Sequence, residues 1–162
     1  MESLLFALTF LAALGAGLIS GLFFAFSSFV MTALHRLPSA TGISAMQSIN
    51  VAVLNPLFFA AFFGTAALCF LLALAGLIRW PESDAIYLIT GALLYLAGTI
   101  LVTMVCNVPL NNKLARVRPE SAKGAFLWKQ YLAAWTAWNH VRTVAALAGA
   151  ACFTMALVRW PS

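Results

Sequence analysis

Residues 56–78 read PLFFAAFFGTAALCFLLALAGLI, and no charged side chain interrupts them. A helix of about 20 apolar residues is long enough to cross the hydrocarbon core of a bilayer, which is about 30 Å thick. Three further stretches of the chain are apolar over a comparable length. The four predicted transmembrane helices are residues 4–34, 56–78, 85–106 and 131–158. The pattern predicts an all-α fold, a four-helix transmembrane bundle that forms one integral membrane domain over residues 1–162.

The composition favours the same class of protein. Of the 162 residues, 64% are hydrophobic and 8% are charged, whereas about a quarter of the residues of a typical soluble domain are charged. A water-soluble domain with so few charges could not cover its own surface, which argues against a soluble enzyme and a nucleic-acid binder. The Walker A, GxGxxG, GxSxG and HExxH motifs are absent from the sequence. Cys69, Cys106 and Cys152 lack the spacing of metal ligands, so no metal site is predicted.

The basic residues of the loops predict the orientation of the chain. Cytoplasmic loops of membrane proteins carry an excess of Lys and Arg. The loops after the first and third predicted helices carry six such residues, namely Arg36, Lys113, Arg116, Arg118, Lys123 and Lys129. The opposite side carries two, Arg79 and Arg159. We therefore expect a multi-pass protein of the cell (inner) membrane with both termini outside the cytoplasm.

Local chemistry marks the ends of the helices. Asn55-Pro56 is typical of an N-cap followed by a first-turn proline, and it predicts the start of the second transmembrane helix. Arg79-Trp80-Pro81 and Arg159-Trp160-Pro161 each place a tryptophan at the membrane interface and a proline where the helix ends. Ser39–Asn50 is predicted to be a short amphipathic helix at the cytoplasmic interface. Its apolar side carries Ile43, Met46 and Ile49.

Polar and small side chains predict which face of each span turns inward, because lipid cannot satisfy a polar group. A rotation of about 100° per residue defines these faces. On the first helix the face comprises Gly17, Gly21, Phe24, Ser28, Met31 and His35. On the third it comprises Gly91, Tyr95, Thr99, Thr103, Asn107 and Asn111, with a kink or broken turn expected at Pro109. On the fourth it comprises Trp128, Tyr131, Trp135, Trp138 and Arg142, with Asn139 and His140 beside them. The GxxxG of Gly17 and Gly21 also allows another backbone to approach, and so an oligomer.

These faces predict a polar pocket at the cytoplasmic end of the bundle. Arg142 either extends its charge to the lipid headgroups or binds an oxyanion or a carbonyl oxygen. His140 either packs among other side chains or acts as a base. His35 stands at a helix end beside Arg36 and is expected to be solvated. The tryptophans either line the pocket or form an aromatic belt at the interface.

Five segments of the chain resemble a known group of membrane proteins. They are FFAFSSFVM ending at Met31, Ala45–Asn50, Asn55-Pro56, Asn107–Asn111 and Trp135–Arg142. In this order, over nearly the whole chain, they resemble the small four-helix membrane proteins of the anthrone oxygenase-like family. The bacterial members of that family are largely described as a domain of unknown function.

The resemblance implies an oxygenase that needs no cofactor and oxidises a polycyclic, anthrone-type substrate with O2 in a pocket facing the cytoplasm. It implies His140 as the base, Arg142 with Asn107 or Asn139 as the clamp for the oxyanion, and Trp135 and Trp138 as stacking walls. Asn50 and Asn111 complete the predicted substrate-binding residues. The implied partners are a small apolar aromatic substrate, O2 and membrane lipid.

Two other functions stay open from the sequence. One is haem or quinone binding, with His140, alone or together with His35, as the axial or hydrogen-bonding group. The other is a non-catalytic role as an accessory subunit or a carrier of small molecules.

Overall fold

The computed structural model describes residues 2–160 and contains five helices in that range. They are α1, Glu2–His35; α2, Ser39–Ala52; α3, Pro56–Arg79; α4, Ala85–Ala115; and α5, Ala122–Val158. The four longer helices are long and apolar enough to cross a membrane. The predicted all-α fold, with four transmembrane helices and a short helix between the first two, is confirmed.

Hydrogen-bonded caps fix the starts of α3 and α5. The Asn55 side-chain oxygen accepts a hydrogen bond from the Phe58 amide at 3.0 Å, and Pro56 occupies the first turn, as predicted. The Ser121 hydroxyl accepts a hydrogen bond from the Gly124 amide at 3.0 Å, so α5 begins before the predicted span. The α3 helix ends at Arg79, directly before Trp80. Pro161, the predicted stop of the last helix, lies outside the described residues.

The buried apolar side chains form two clusters along the bundle axis. The first, which we call the membrane cluster, comprises Ala12, Ala16, Ile19, Phe23, Phe62, Cys69, Leu72, Leu88, Ala92, Tyr95, Ala146, Phe153 and Ala156. The second, the cap cluster, comprises Met31, Leu34, Ile43, Met46, Leu114, Trp128, Tyr131 and Trp135. The 37 residues of α5 extend about 56 Å at 1.5 Å per residue, and the 24 residues of α3 extend about 36 Å. Because α3 begins at Pro56, it contributes to the membrane cluster alone.

The short helix α2 belongs to the cap cluster. Ile43 and Met46 on its predicted apolar side are buried there, and Ile49 is half-buried. The Gln47 amide donates to the carbonyls of Leu114 and Val117, at 2.9 and 3.1 Å. The apolar side of α2 is therefore covered by protein, and α2 is tied to the end of α4.

Most of the face of α1 that packs inward is not the predicted one. From Glu2 to Ala25 the buried residues are Thr9, Ala12, Ala16, Ile19, Ser20 and Phe23. Of the predicted face Met31 is buried, whereas Gly21, Phe24, Ser28 and His35 are exposed. A Cβ built on Gly17 or Gly21 would meet no atom within 4 Å. The prediction was wrong because it required Ser28 to face a neighbouring helix. The Ser28 hydroxyl instead donates to the Phe24 carbonyl of its own helix, at 2.7 Å, and so can face outward.

Close helix packing occurs between α4 and α5. A Cβ on Gly91 would lie 2.9 Å from the Phe153 ring, and a Cβ on Gly98 would overlap the Ala145 Cβ. The predicted inward face of α4 is confirmed, since Gly91, Tyr95, Thr99 and Asn107 are buried and Thr103 and Asn111 are half-buried. Small residues thus bring these two backbones together.

The expected break near Pro109 is a π-helical segment, in which the helix is wider than an α-helix. Proline has no N–H, so it cannot complete the α-helical hydrogen bond to the carbonyl four residues earlier. The chain forms a π-helical segment, Thr103–Asn107, and resumes an α-helix at Val108. A second π-helical segment of α4 spans Leu96–Leu101, and one in α1 spans Phe26–Val30. Such segments are frequent at functional sites.

We expect Gly98→Val to destabilise the fold and Gly17→Val to leave it nearly unchanged. The change in helix propensity is the same at both positions, but only at Gly98 does the new side chain overlap a neighbouring helix. Overpacking of this kind costs about 1–3 kcal/mol. Thermal unfolding of both purified variants in detergent tests this, and equal melting temperatures would contradict the assigned α4–α5 contact.

Candidate functional site

A cavity of about 130 Å³ lies where the membrane cluster meets the cap cluster. Its polar lining consists of Asn50, Thr103, Asn111 and Arg142. Its apolar lining includes Phe23, Phe26, Met46, Phe58 and Trp135. All five helices contribute to these walls, so the cavity depends on the packing of the whole bundle.

Arg142 faces this cavity and does not extend to the surface. The residue is 4% exposed. Its Nη1 donates to the Thr103 hydroxyl at 3.1 Å, and its Nη2 donates to the Asn139 side-chain oxygen. The guanidinium carbon lies 4.0 Å from the centre of the Phe23 ring and 5.3 Å from that of Trp135. Two polar groups and two aromatic faces therefore hold the charge in place.

The charge of Arg142 has no carboxylate partner within residues 2–160. Glu2, Glu82 and Asp84 all bind Arg79 at the far end of the bundle, at 2.8, 2.7 and 3.1 Å. Glu120 is exposed in the loop before α5. The Arg142 Nε is buried and has no hydrogen-bond partner among the described residues. A desolvated cation of this kind favours a ligand that brings negative charge.

Asn139 positions Arg142 rather than a ligand. Its amide nitrogen donates to the Phe23 carbonyl at 2.7 Å and to the Ser27 hydroxyl at 2.6 Å, while its oxygen accepts from Arg142. These contacts tie α5 to α1 and leave the side chain fully occupied. Asn107 has a similar role between α4 and α5, because its nitrogen donates to the Trp135 carbonyl at 3.2 Å. Its buried oxygen has no partner among residues 2–160.

Asn111 presents a hydrogen-bond donor to the cavity. Its side-chain oxygen accepts from the Tyr131 hydroxyl at 2.8 Å and from the Trp135 indole at 2.9 Å. Both donors approach the oxygen, so the amide nitrogen is left available. Trp128, Tyr131 and Trp135 stack in sequence, with ring centres 5.5 and 6.1 Å apart. This stack fixes the indole that forms one wall of the cavity.

Two of the predicted catalytic and stacking residues lie elsewhere. Trp138 is 42% exposed. His140 is exposed and lines a separate groove between α1 and α5, together with His35, Lys129 and Thr136. The reason is the helical rotation of about 100° per residue, which turns His140 away when its neighbour Asn139 points inward. The structure therefore brings Asn50, Asn111, Trp135 and Arg142 together and leaves out His140 and Trp138.

Several cavity residues were not identified from the sequence. Phe23, Phe26 and Phe58 are three of 13 phenylalanines. Phe23 and Phe26 lie in the FFAFSSFVM segment, but the helical pattern places neither of them on the predicted inward face. Thr103 was placed on the inward face of its helix but received no role. Thr103 lies one helical turn before Asn107 and on the same face as Asn111, and this position is the sequence feature that indicates a place in the site.

More than half of the chain matches the model of a described family. The family model of the anthrone oxygenases matches residues 57–152, which is more than half of the chain. The chain belongs to the anthrone oxygenase family. The matched range contains Thr103, Asn111 and Arg142, three of the four residues of the polar lining. Comparisons with curated proteins and with solved structures give no match.

We expect Arg142→Met to cost less stability than Asn139→Ala in this member of the anthrone oxygenase family. Methionine loses two hydrogen bonds but removes a buried charge that has no carboxylate partner, and such replacements are often close to neutral. Alanine at 139 leaves buried polar groups unpaired, which costs about 1–3 kcal/mol. Thermal unfolding in detergent measures both. A larger loss for Arg142→Met would show that the charge serves the fold.

Proposed function

We propose that this membrane protein oxidises an anthrone-type substrate with O2 and that the reaction takes place in the cavity beside Arg142. The family supports the reaction class, since its name describes an oxygenase acting on anthrones. The observation that carries the site is the buried guanidinium without a carboxylate, next to the available amide donor of Asn111. Aromatic side chains on the other walls suit a flat apolar ring system.

The first step is the loss of a proton from the substrate. An anthrone carries a methylene group opposite its carbonyl, and removal of a methylene proton moves negative charge onto the carbonyl oxygen. The Arg142 guanidinium and the Asn111 amide are donors suited to stabilising that oxyanion more strongly than the neutral ketone. Such preorganised donors are most effective in a dry site. The proton is released from the site to the aqueous phase, and the bound anion keeps its charge partner in Arg142.

The second step is oxidation by O2. The electron-rich anion transfers an electron to O2, and the two radicals combine to form a carbon–oxygen bond at the former methylene carbon. The resulting peroxide takes up a proton and loses water, which leaves the second carbonyl of an anthraquinone. One anthrone and one O2 therefore give one anthraquinone and one water, with no net change in protons.

Arg142 rather than His140 is the essential side chain in this proposal. We expect Arg142→Gln to lower kcat/KM about 10²- to 10³-fold, the loss typical of one oxyanion donor. We expect His140→Ala to lower it less than about threefold, whereas a general base contributes about 10²–10⁴-fold. Oxygen uptake with anthrone, in protein reconstituted into nanodiscs, measures both. Exposed Arg36→Gln serves as the control for loss of a positive charge.

The outcomes separate the candidate sites. A folded Arg142→Gln variant with full oxygen uptake would contradict the cavity as the site of reaction. A large loss in His140→Ala instead would move the reaction, or a bound quinone or haem, to the groove that contains His35 and His140.

We also propose that the cap cluster lies on the cytoplasmic side, as the excess of Lys and Arg in its loops favours. Ser83 and Glu120 are exposed in loops at opposite ends of the bundle. In spheroplasts of a bacterial host, we expect a membrane-impermeant thiol reagent to label Ser83→Cys before lysis and Glu120→Cys only after lysis. The unmodified chain controls for Cys69, Cys106 and Cys152. The reverse labelling pattern would contradict this orientation.

A further inference from the structure

An apolar groove of about 300 Å³ lies on the outside of the bundle between α1 and α3, next to the cavity. Leu22, Val53 and Phe58 line both the groove and the cavity. These three side chains therefore form a shared wall of the two spaces.

The groove is open to the hydrocarbon of the membrane. Leu18 and Leu57, which line it, are 64% and 82% exposed. Both belong to helices that are long and apolar enough to cross a bilayer. Exposed leucines on such helices contact lipid tails, so a molecule in this groove is in contact with the bilayer interior.

The cavity alone is too small for a three-ring molecule. A cavity of about 150 Å³ holds benzene, and the cavity beside Arg142 measures about 130 Å³. The two volumes are close, so the cavity has room for about one ring next to Arg142 and Asn111, and the remaining rings require the space that the adjoining groove provides.

We propose that the ligand of this site enters sideways from the bilayer, through the contact of Leu22 with Val53 and Phe58, and that these side chains set its rate of access. The inference rests on the proposed function for the identity of the site. The ligand class is a flat, neutral aromatic molecule dissolved in the membrane, with a carbonyl edge that reaches Arg142 first.

Leu22 is the side chain that moves. Val53 and Phe58 flank the cap formed by Asn55, whose oxygen accepts from the Phe58 amide and whose nitrogen donates to the Ala52 carbonyl at 2.9 Å. Phe58 also stacks on Phe62 with ring centres 5.3 Å apart. Leu22 stands on α1 at the surface, 36% exposed, and a change of its rotamer opens the contact.

Acridone tests this access route, because it is flat, has three rings, fluoresces, is stable to O2 and carries a carbonyl at the position that anthrone does. Its binding to protein in nanodiscs is followed by stopped-flow fluorescence. Ile49 lines the cavity, and the larger tryptophan side chain in Ile49→Trp fills it. The part of the acridone fluorescence change that this variant loses is therefore the part due to binding in the cavity. We expect Leu22→Trp to slow both association and dissociation at least tenfold while the dissociation constant changes less than threefold. Phe58→Ala is expected to accelerate both rates.

Leu14→Trp is the matched control, because Leu14 is an exposed leucine on the same helix and lines neither space. Unchanged rates in Leu22→Trp, equal slowing in Leu14→Trp, or no cavity-specific signal in the wild type would each overturn the proposal. Oxygen uptake with anthrone, measured separately, distinguishes a failure of the access route from a failure of the proposed oxidation. Slower acridone exchange without any oxygen uptake supports the access route and overturns the oxidation. Oxygen uptake that depends on Arg142, together with acridone rates that Leu22→Trp leaves unchanged, supports the oxidation and overturns the access route.

Discussion

The desolvated charge of Arg142 is the constraint on which the candidate site depends. A guanidinium buried in a membrane bundle must find polar partners, and here one comes from α4 and the other from its own helix, α5. Thr103 of α4 binds it directly, and Asn139 binds it while also holding the Phe23 carbonyl and Ser27 of α1. The same contacts that satisfy one charge therefore join α1, α4 and α5 at a single level.

Features of the fold that depend on composition and local chemistry could be predicted from the sequence. The apolar run from Pro56 and the Asn55 cap fixed the position of α3, and the polar residues of α4 gave its buried face. The buried face of α1 could not be obtained in this way. A serine such as Ser28 can satisfy its hydroxyl within its own helix, and the close approach on α1 occurs at Gly15, where a Cβ would overlap the Thr65 hydroxyl, and not at Gly17 or Gly21. Which small residues meet a neighbour is decided by tertiary packing.

The candidate site was predictable to the extent that it lies on one helical face. Trp135, Asn139 and Arg142 share a face of α5, and the structure buries all three. His140 was included because it lies in the same short motif, although a single residue step rotates it out of that face. The walls formed by Phe23, Met46 and Phe58 come from three different helices. Their convergence depends on how these helices pack, and no periodic pattern in one segment contains that information.

The position of the cavity between the two clusters reconciles two opposing requirements of the proposed reaction. A flat apolar substrate and O2 both dissolve in hydrocarbon, whereas an oxyanion and its guanidinium partner need dipoles around them. Deep in the membrane cluster the charge would lack polar partners, and at the surface of the cap water would screen it. At the junction, Thr103 and Asn139 hold the cation on one side while Phe23 and Phe58 exclude water on the other. A site that stabilises an anion and still opens toward lipid is therefore best placed at this level of the bundle.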